Sequence, residues 1–88
     1  MEIRQLEKIL KALANRRRLD VCRILKKKGP LTVGEIAEEI RLSFKSTSRH
    51  LALLAAAEIL EKEQKSLNVF YSLSKDAHKF VSQVINQV

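Results

Sequence analysis

Thr32-Val33-Gly34-Glu35-Ile36-Ala37-Glu38-Glu39-Ile40-Arg41-Leu42-Ser43-Phe44-Lys45-Ser46-Thr47-Ser48-Arg49-His50-Leu51 is the stretch that decides how this chain folds. It opens with threonine followed three residues later by glutamate. That is the capping-box pattern, in which two side chains satisfy backbone donors at a helix start. Val33, Ile36, Ala37 and Ile40 then recur at helical spacing and predict a short amphipathic helix. Arg41-Leu42 leaves room only for a tight turn. Ser43 is a good N-cap, so a second helix is expected from Phe44 to about Ala57. At 100° per residue, Phe44, Thr47, Ser48, Leu51, Leu54 and Ala55 share the inner side of that helix. Ser46, Arg49 and His50 fall on the outer side, with Lys45 at its edge and Leu53 further along.

Upstream, Ile3, Leu6, Ile9, Leu10 and Leu13 predict a first helix over about residues 2–14. Asn15 caps a second helix with Leu19, Cys22, Ile24 and Leu25 on its apolar side. Gly29-Pro30 stops it. Downstream the period changes. Ile59-Leu60-Glu61-Lys62-Glu63 and Val69-Phe70-Tyr71-Ser72-Leu73 read as two strands around a polar tip, a hairpin over about 59–73. Leu31-Thr32 is a candidate third strand, because a lone hairpin is marginal in water. Ser74 or Asp76 is expected to open a last helix over about 75–88, with Ala77, Phe80, Val81, Val84, Ile85 and Val88 on one stripe. The expected order is α-α-(short β)-α-α-β-β-α: a mainly α fold with a small hairpin, in one domain spanning 1–88. Its centre, about 33–57, is a helix-turn-helix.

The chain has 88 residues and a formal charge of +7. Residues 1–30 hold ten bases against three acids, whereas the later segments balance. Such a field favours polyanions, nucleic acid first; Lys26, Lys27 and Lys28 also sit where a helix C-terminus welcomes cations. No apolar run is long enough to cross a bilayer, and Met1-Glu2-Ile3-Arg4 does not open a leader peptide, so a cytoplasmic protein is expected. The one cysteine, Cys22, makes no internal disulfide. It reads as a small core residue, with a redox-sensing thiol as the alternative. Catalysis has no support: there is no nucleophile-base pair, phosphate-cradling glycine loop or paired-carboxylate signature.

The outer face of the 44–57 helix is cationic and free of carboxylates until Glu58. Such a face approaches DNA without repelling phosphates. Helices that read DNA use residues near their N-termini, where hydroxyls and arginine reach phosphates or bases. The candidate DNA-binding set is Ser43, Lys45, Ser46, Thr47, Arg49 and His50, with Lys62 and Lys65 on the hairpin. Thr47 enters for its hydroxyl, although its angle is on the inner side. The first and last helices carry more apolar face than so small a domain covers. Leu6, Leu10, Phe80, Val84 and Ile85 are therefore expected partly in a homodimer interface.

Several of these segments resemble the ArsR-type (arsenic-repressor-like) winged helix-turn-helix regulators. Leu10-Lys11-Ala12-Leu13-Ala14-Asn15 with Arg18-Leu19 resembles the family's LKALAD–RL segment. Thr32-Val33-Gly34-Glu35-Ile36-Ala37 resembles its TVGELA helix. Leu42-Ser43 with Ser48-Arg49-His50-Leu51 resembles its LS…SRHL recognition helix, and Val69-Phe70-Tyr71-Ser72-Leu73 the second strand of its wing. The resemblance covers nearly the whole chain. It implies a homodimer built by the first and last helices, binding double-stranded DNA at an imperfect inverted repeat and repressing transcription. The alternative is a dimeric winged-helix module for protein interaction that reads no DNA.

Four departures stand out. Arg41 and Glu58 occupy positions where the family often has glycine; each costs about 1 kcal/mol if its backbone is left-handed. Phe44 stands where a polar, base-reaching residue is common, and its angle favours packing. Glu63 lies near a usual wing arginine. Metal sensing in the family uses paired cysteines in the third helix, absent from Glu35 to Ile40, or carboxylate and histidine ligands on the last helix. Asp76-Ala77-His78 has the opening of the latter, but two ligands per chain do not close a four-coordinate site unless the symmetric pair meets across the dimer, which leaves a metal sensor as a third reading. No metal or other cofactor is expected, no effector is assigned, and Asp76 reads as a helix cap.

Overall fold

The computed structural model describes residues 1–88, all of the chain. Five helices and three short strands follow in the order α1 (Ile3–Leu13), α2 (Arg16–Lys28), β1 (Leu31–Thr32), α3 (Val33–Ile40), α4 (Phe44–Ala56), β2 (Leu60–Lys65), β3 (Asn68–Leu73) and α5 (Lys79–Ile85). The capping chemistry read from the sequence is in place. Asn15 accepts from Arg18 N, Ser43 from Ser46 N, and Thr32 and Glu35 close a full capping box. Gly29 ends α2 at φ 79°, a conformation that costs glycine no Cβ clash.

The sheet is antiparallel, in the order β1-β3-β2. Leu31 pairs with Tyr71 and Thr32 with Phe70, so β1 supplies the third strand that stabilises the hairpin. The two strands run further toward the tip than the sequence suggests. Leu60–Lys65 pairs with Asn68–Leu73 around Ser66-Leu67, and Ser66 takes a left-handed φ of 59°.

Val21, Cys22, Ile36, Leu51, Leu54, Ile59 and Val81 are essentially inaccessible and form the centre of one core shared by α1–α5 and the sheet. α2 also anchors three other helices through cations. Arg17 Nη1 donates to Ile40 O at the end of α3. Arg18 donates to Ala12 O (2.6 Å) and Lys11 O (3.1 Å) in the last turn of α1. Lys26 Nζ donates to Ile85 O (3.3 Å) at the end of α5. Helix C-termini present carbonyls without intrahelical partners and the negative end of the macrodipole. Part of the N-terminal charge surplus is thus structural.

Three expectations need correction. The last helix starts at Lys79, with His78 at the N-cap position, and Asp76 caps nothing. Ser74 N–H still bonds Ile59 O at 2.9 Å, continuing the sheet, so the chain must leave it before a helix can begin. Ile85 is 5% exposed within its own protomer and completes the core rather than an interface. Phe80 and Val84 are half-buried against the same core. The open apolar stripe lies on α1: Ile3 and Leu10 are 82% and 49% exposed, beside half-buried Leu6.

The two non-glycine turns are strained as the sequence suggests. Arg41 sits at φ 55° and Glu58 at φ 60°, where glycine is favoured. Arg41 nevertheless makes a short link between α3 and α4, its N–H directed at Ala37 O and Glu38 O.

Candidate nucleic-acid interface

α4 packs through Thr47, Leu51 and Leu54, which are fully buried. Its other side is open. Lys45 and Arg49 are exposed, Ser46 and His50 half-buried, and neither Lys45 nor Arg49 makes an ion pair. Ser43 is exposed too, its hydroxyl accepting from Ser46 N at 3.1 Å to cap the helix. No carboxylate lies between Phe44 and Ala57. The face can therefore offer cations and hydroxyls to an anionic surface without a local repulsive charge.

Thr47 does not belong to this face. It is 0% exposed, and its Oγ1 is buried with no hydrogen-bond partner. The inner-side angle is what counts; the hydroxyl is enclosed by the core it packs against. Phe44 departs in the opposite direction. Its angle on the wheel favours packing, yet it is 63% exposed. Side chains on a helix lean toward the N-terminus, so a residue at the first helical position overhangs the helix end instead of covering the core.

His50 is held by a residue the sequence reading did not connect to it. Arg18 Nη1 lies 3.2 Å from His50 Nδ1. A guanidinium only donates, so Nδ1 accepts and the ring proton sits on Nε2. Burial, then the charges of Arg18, Arg17 and Arg49, hold the imidazole below its ordinary pKa. Arg18 thus bridges the end of α1 and the outer face of α4. The run Arg16-Arg17-Arg18 was legible as basic, but His50 lies 32 residues beyond Arg18, and their contact needed the fold.

The two hairpin lysines part company. Directly paired residues share a sheet face and successive residues alternate. Lys62 pairs with Tyr71, on the face that carries Leu60 into the core; Lys65 pairs with Asn68 on the other face. Lys65 is also engaged with Glu63 at 3.3 Å, an exposed pair. Lys62 makes no ion pair. It lines a groove of about 430 Å³ with Phe44, Leu67, Asn68, Val69 and Tyr71, between the start of α4 and the hairpin tip.

No group of three or more His, Cys, Asp or Glu side chains comes together. His78 Nε2 lies 3.3 Å from Gln5 Nε2. Cys22 is buried, and burial pushes its thiol up to about 11. No helix is long and apolar enough to cross a membrane.

A helix-turn-helix whose second helix presents a cationic, carboxylate-free face, followed by a hairpin wing, defines the winged helix-turn-helix class. A family model described as a helix-turn-helix domain matches residues 13–63. The chain is 31% identical to the transcriptional activator HlyU of Vibrio cholerae over 100% of its own length and 87% of that protein's. It is 35% identical to the transcriptional repressor SdpR of Bacillus subtilis, over 75% and 72% of the two chains. The solved structure of Vibrio cholerae HlyU superposes with a TM-score of 0.79 at 33% identity, covering 99% of this chain and 92% of that one. A Mycobacterium bovis structure, described as a homodimeric winged helix-turn-helix DNA-binding domain of a possible ArsR-family regulator, gives 0.83 at 25% identity, covering 97% and 75%. The chain belongs to the ArsR-type family of winged helix-turn-helix transcription regulators.

Proposed function

We propose that this transcription regulator binds double-stranded DNA sequence-specifically, as a homodimer on an inverted repeat in the cytoplasm, and represses the genes it controls. The observation that carries the reading is the outer face of α4, with Lys45 and Arg49 exposed and unpaired beside Ser46 and no acid from Phe44 to Ala57. Ser43, Lys45, Arg49 and Lys62 are the phosphate-binding candidates, and Ser46 is small enough to approach base edges. His50 orients Arg18 and lies at the rim. Lys65, paired with Glu63, adds less.

The α1 stripe of Ile3, Leu6 and Leu10 supports a second copy as partner, with the half-buried Phe80 and Val84 of α5 as further candidates. The Mycobacterium bovis relative is described as homodimeric. Two recognition helices related by a two-fold axis meet half-sites about one helical turn apart, roughly 34 Å. Repression follows from occupying DNA that polymerase needs; activation, as the name of the Vibrio cholerae relative has it, is the competing output.

Selecting bound duplexes from a random pool tests the reading. An enriched inverted repeat supports it. Arg49→Ala and Lys45→Ala should weaken specific and random duplexes by similar factors, each reducing the salt slope by about one. In vitro transcription from a promoter carrying the repeat then reads the sign of regulation. Glu61 and Glu63 on the wing favour a second reading, a dimeric module for protein interaction. It takes the lead if the double variant keeps full DNA affinity at moderate salt.

A further inference from the structure

We propose that Phe44 is a specificity-determining side chain that reads the 5-methyl group of a thymine in the DNA major groove. The inference rests on the DNA-binding function above and adds to it the base that one position prefers. Phe44 is the first residue of α4 and is 63% exposed, the only aromatic side chain among the large exposed hydrophobics. It overhangs the N-terminal end of the helix, the end from which recognition helices reach base edges. Its own protomer leaves most of it uncovered.

The surroundings of the ring fit a polyanion. Ser43 and Lys45 flank it in sequence and are exposed. The groove it lines holds Lys62 and Asn68 and no carboxylate. A protein partner that buried this ring would have to bring its own apolar surface against a cationic rim. DNA brings phosphates for the rim and, in the major groove, one apolar group for the ring. Every other major-groove feature of the four base pairs is a hydrogen-bond donor or acceptor, and phenylalanine has no atom to answer it. Only the thymine methyl rewards a phenyl ring there. The same position filled by a polar side chain would read a donor or acceptor instead.

The test uses the duplex recovered by selection with the wild-type protein. Each thymine in turn is replaced by deoxyuridine, which removes the methyl and leaves the Watson–Crick and groove hydrogen bonds in place. At one thymine per half-site the wild type should lose about fourfold in affinity, the worth of one buried methyl group, and more than tenfold when both half-sites are changed. Phe44→Ala should bind the thymine duplex more weakly and bind the deoxyuridine duplex no worse than the thymine one. Phe44→Leu should keep part of the discrimination. The exposed site leaves folding intact, which thermal melting of each variant checks. The proposal is overturned if no thymine is sensitive in the wild type, or if Phe44→Ala keeps the sensitivity. If selection enriches no duplex at all, the DNA-binding reading falls and this inference with it.

Discussion

Replacing Thr47 by valine should stabilise the protein and leave DNA binding unchanged. Thr47 is 0% exposed, and its Oγ1 has no partner. The carbonyl four residues back, Ser43 O, accepts the Thr47 N–H at 3.0 Å and could accept a hydroxyl as well, but Oγ1 is not placed to share it. Burying a hydroxyl without a hydrogen bond costs about 1–3 kcal/mol on mutational scales. Valine keeps the branched shape, removes the polar atom and has nearly the same helix propensity. The gain should be about 1–2 kcal/mol. For a domain of this size that raises Tm by roughly 5–10 °C. Urea and thermal unfolding at matched protein concentration measure it, because dimerisation makes Tm depend on concentration. Thr47→Ala, which leaves a small void as well, should gain less or lose stability. A valine variant less stable than wild type would show that the hydroxyl has a partner in solution. A valine variant that dimerises normally and loses DNA affinity would return Thr47 to the reading face.

Arg18→Ala removes the donor to Ala12 O, Lys11 O and His50 Nδ1 together, so it should cost about 2 kcal/mol in urea unfolding; a change under about 0.5 kcal/mol would mean water replaces the clamp. Leu10→Glu places a charge in the open α1 stripe and should give monomers in sedimentation with weakened DNA binding, whereas a dimer of wild-type strength would move the interface elsewhere. Cys22 should resist thiol-alkylating reagents in the native state, because it is buried and its thiol sits near 11. The unfolded thiol ionises near 9 and the folded one near 11. Cys22 therefore takes nothing from stability below pH 9, and its burden grows between pH 9 and 11 to about 3 kcal/mol. Cys22→Ala should flatten that part of the stability profile, and an unchanged profile would contradict the burial. For His50 the sign is opposite: its pKa is held low in the folded state, so the neutral ring's contribution is present above its ordinary pKa and is lost as pH falls. His50→Gln should remove that acid dependence in unfolding measured between pH 7 and 5 (roughly the range in which histidine titrates).

The sequence by itself determined the elements and their order. Local chemistry suffices for that: a capping box at Thr32 and Glu35, caps at Asn15 and Ser43, and a glycine stop at Gly29 each act within one turn of the chain. Periodicity placed Ile36, Ala37, Ile40, Leu51 and Leu54 inside, because 3.6 residues per turn bring them to one face. It also separated the cationic side of α4 from its packed side, which is why Lys45 and Arg49 were legible.

Only the tertiary structure decided what depends on where elements end and what lies across from them. The helical wheel has no axial coordinate, so it counted Phe44 as core although the first turn of α4 projects past the core. Ser74 and Asp76 are good caps in isolation, but the bond from Ser74 N to Ile59 O holds the chain to the sheet and delays α5 to Lys79. A stripe of apolar residues does not say which copy of the chain covers it, so Ile85 went to its own core while Leu10 stayed open. The basic run of α2 announced its charge but not its partners. Those are carbonyls at the ends of α1, α3 and α5, the last two 23 and 59 residues from their donors and all brought into place only when the helices pack.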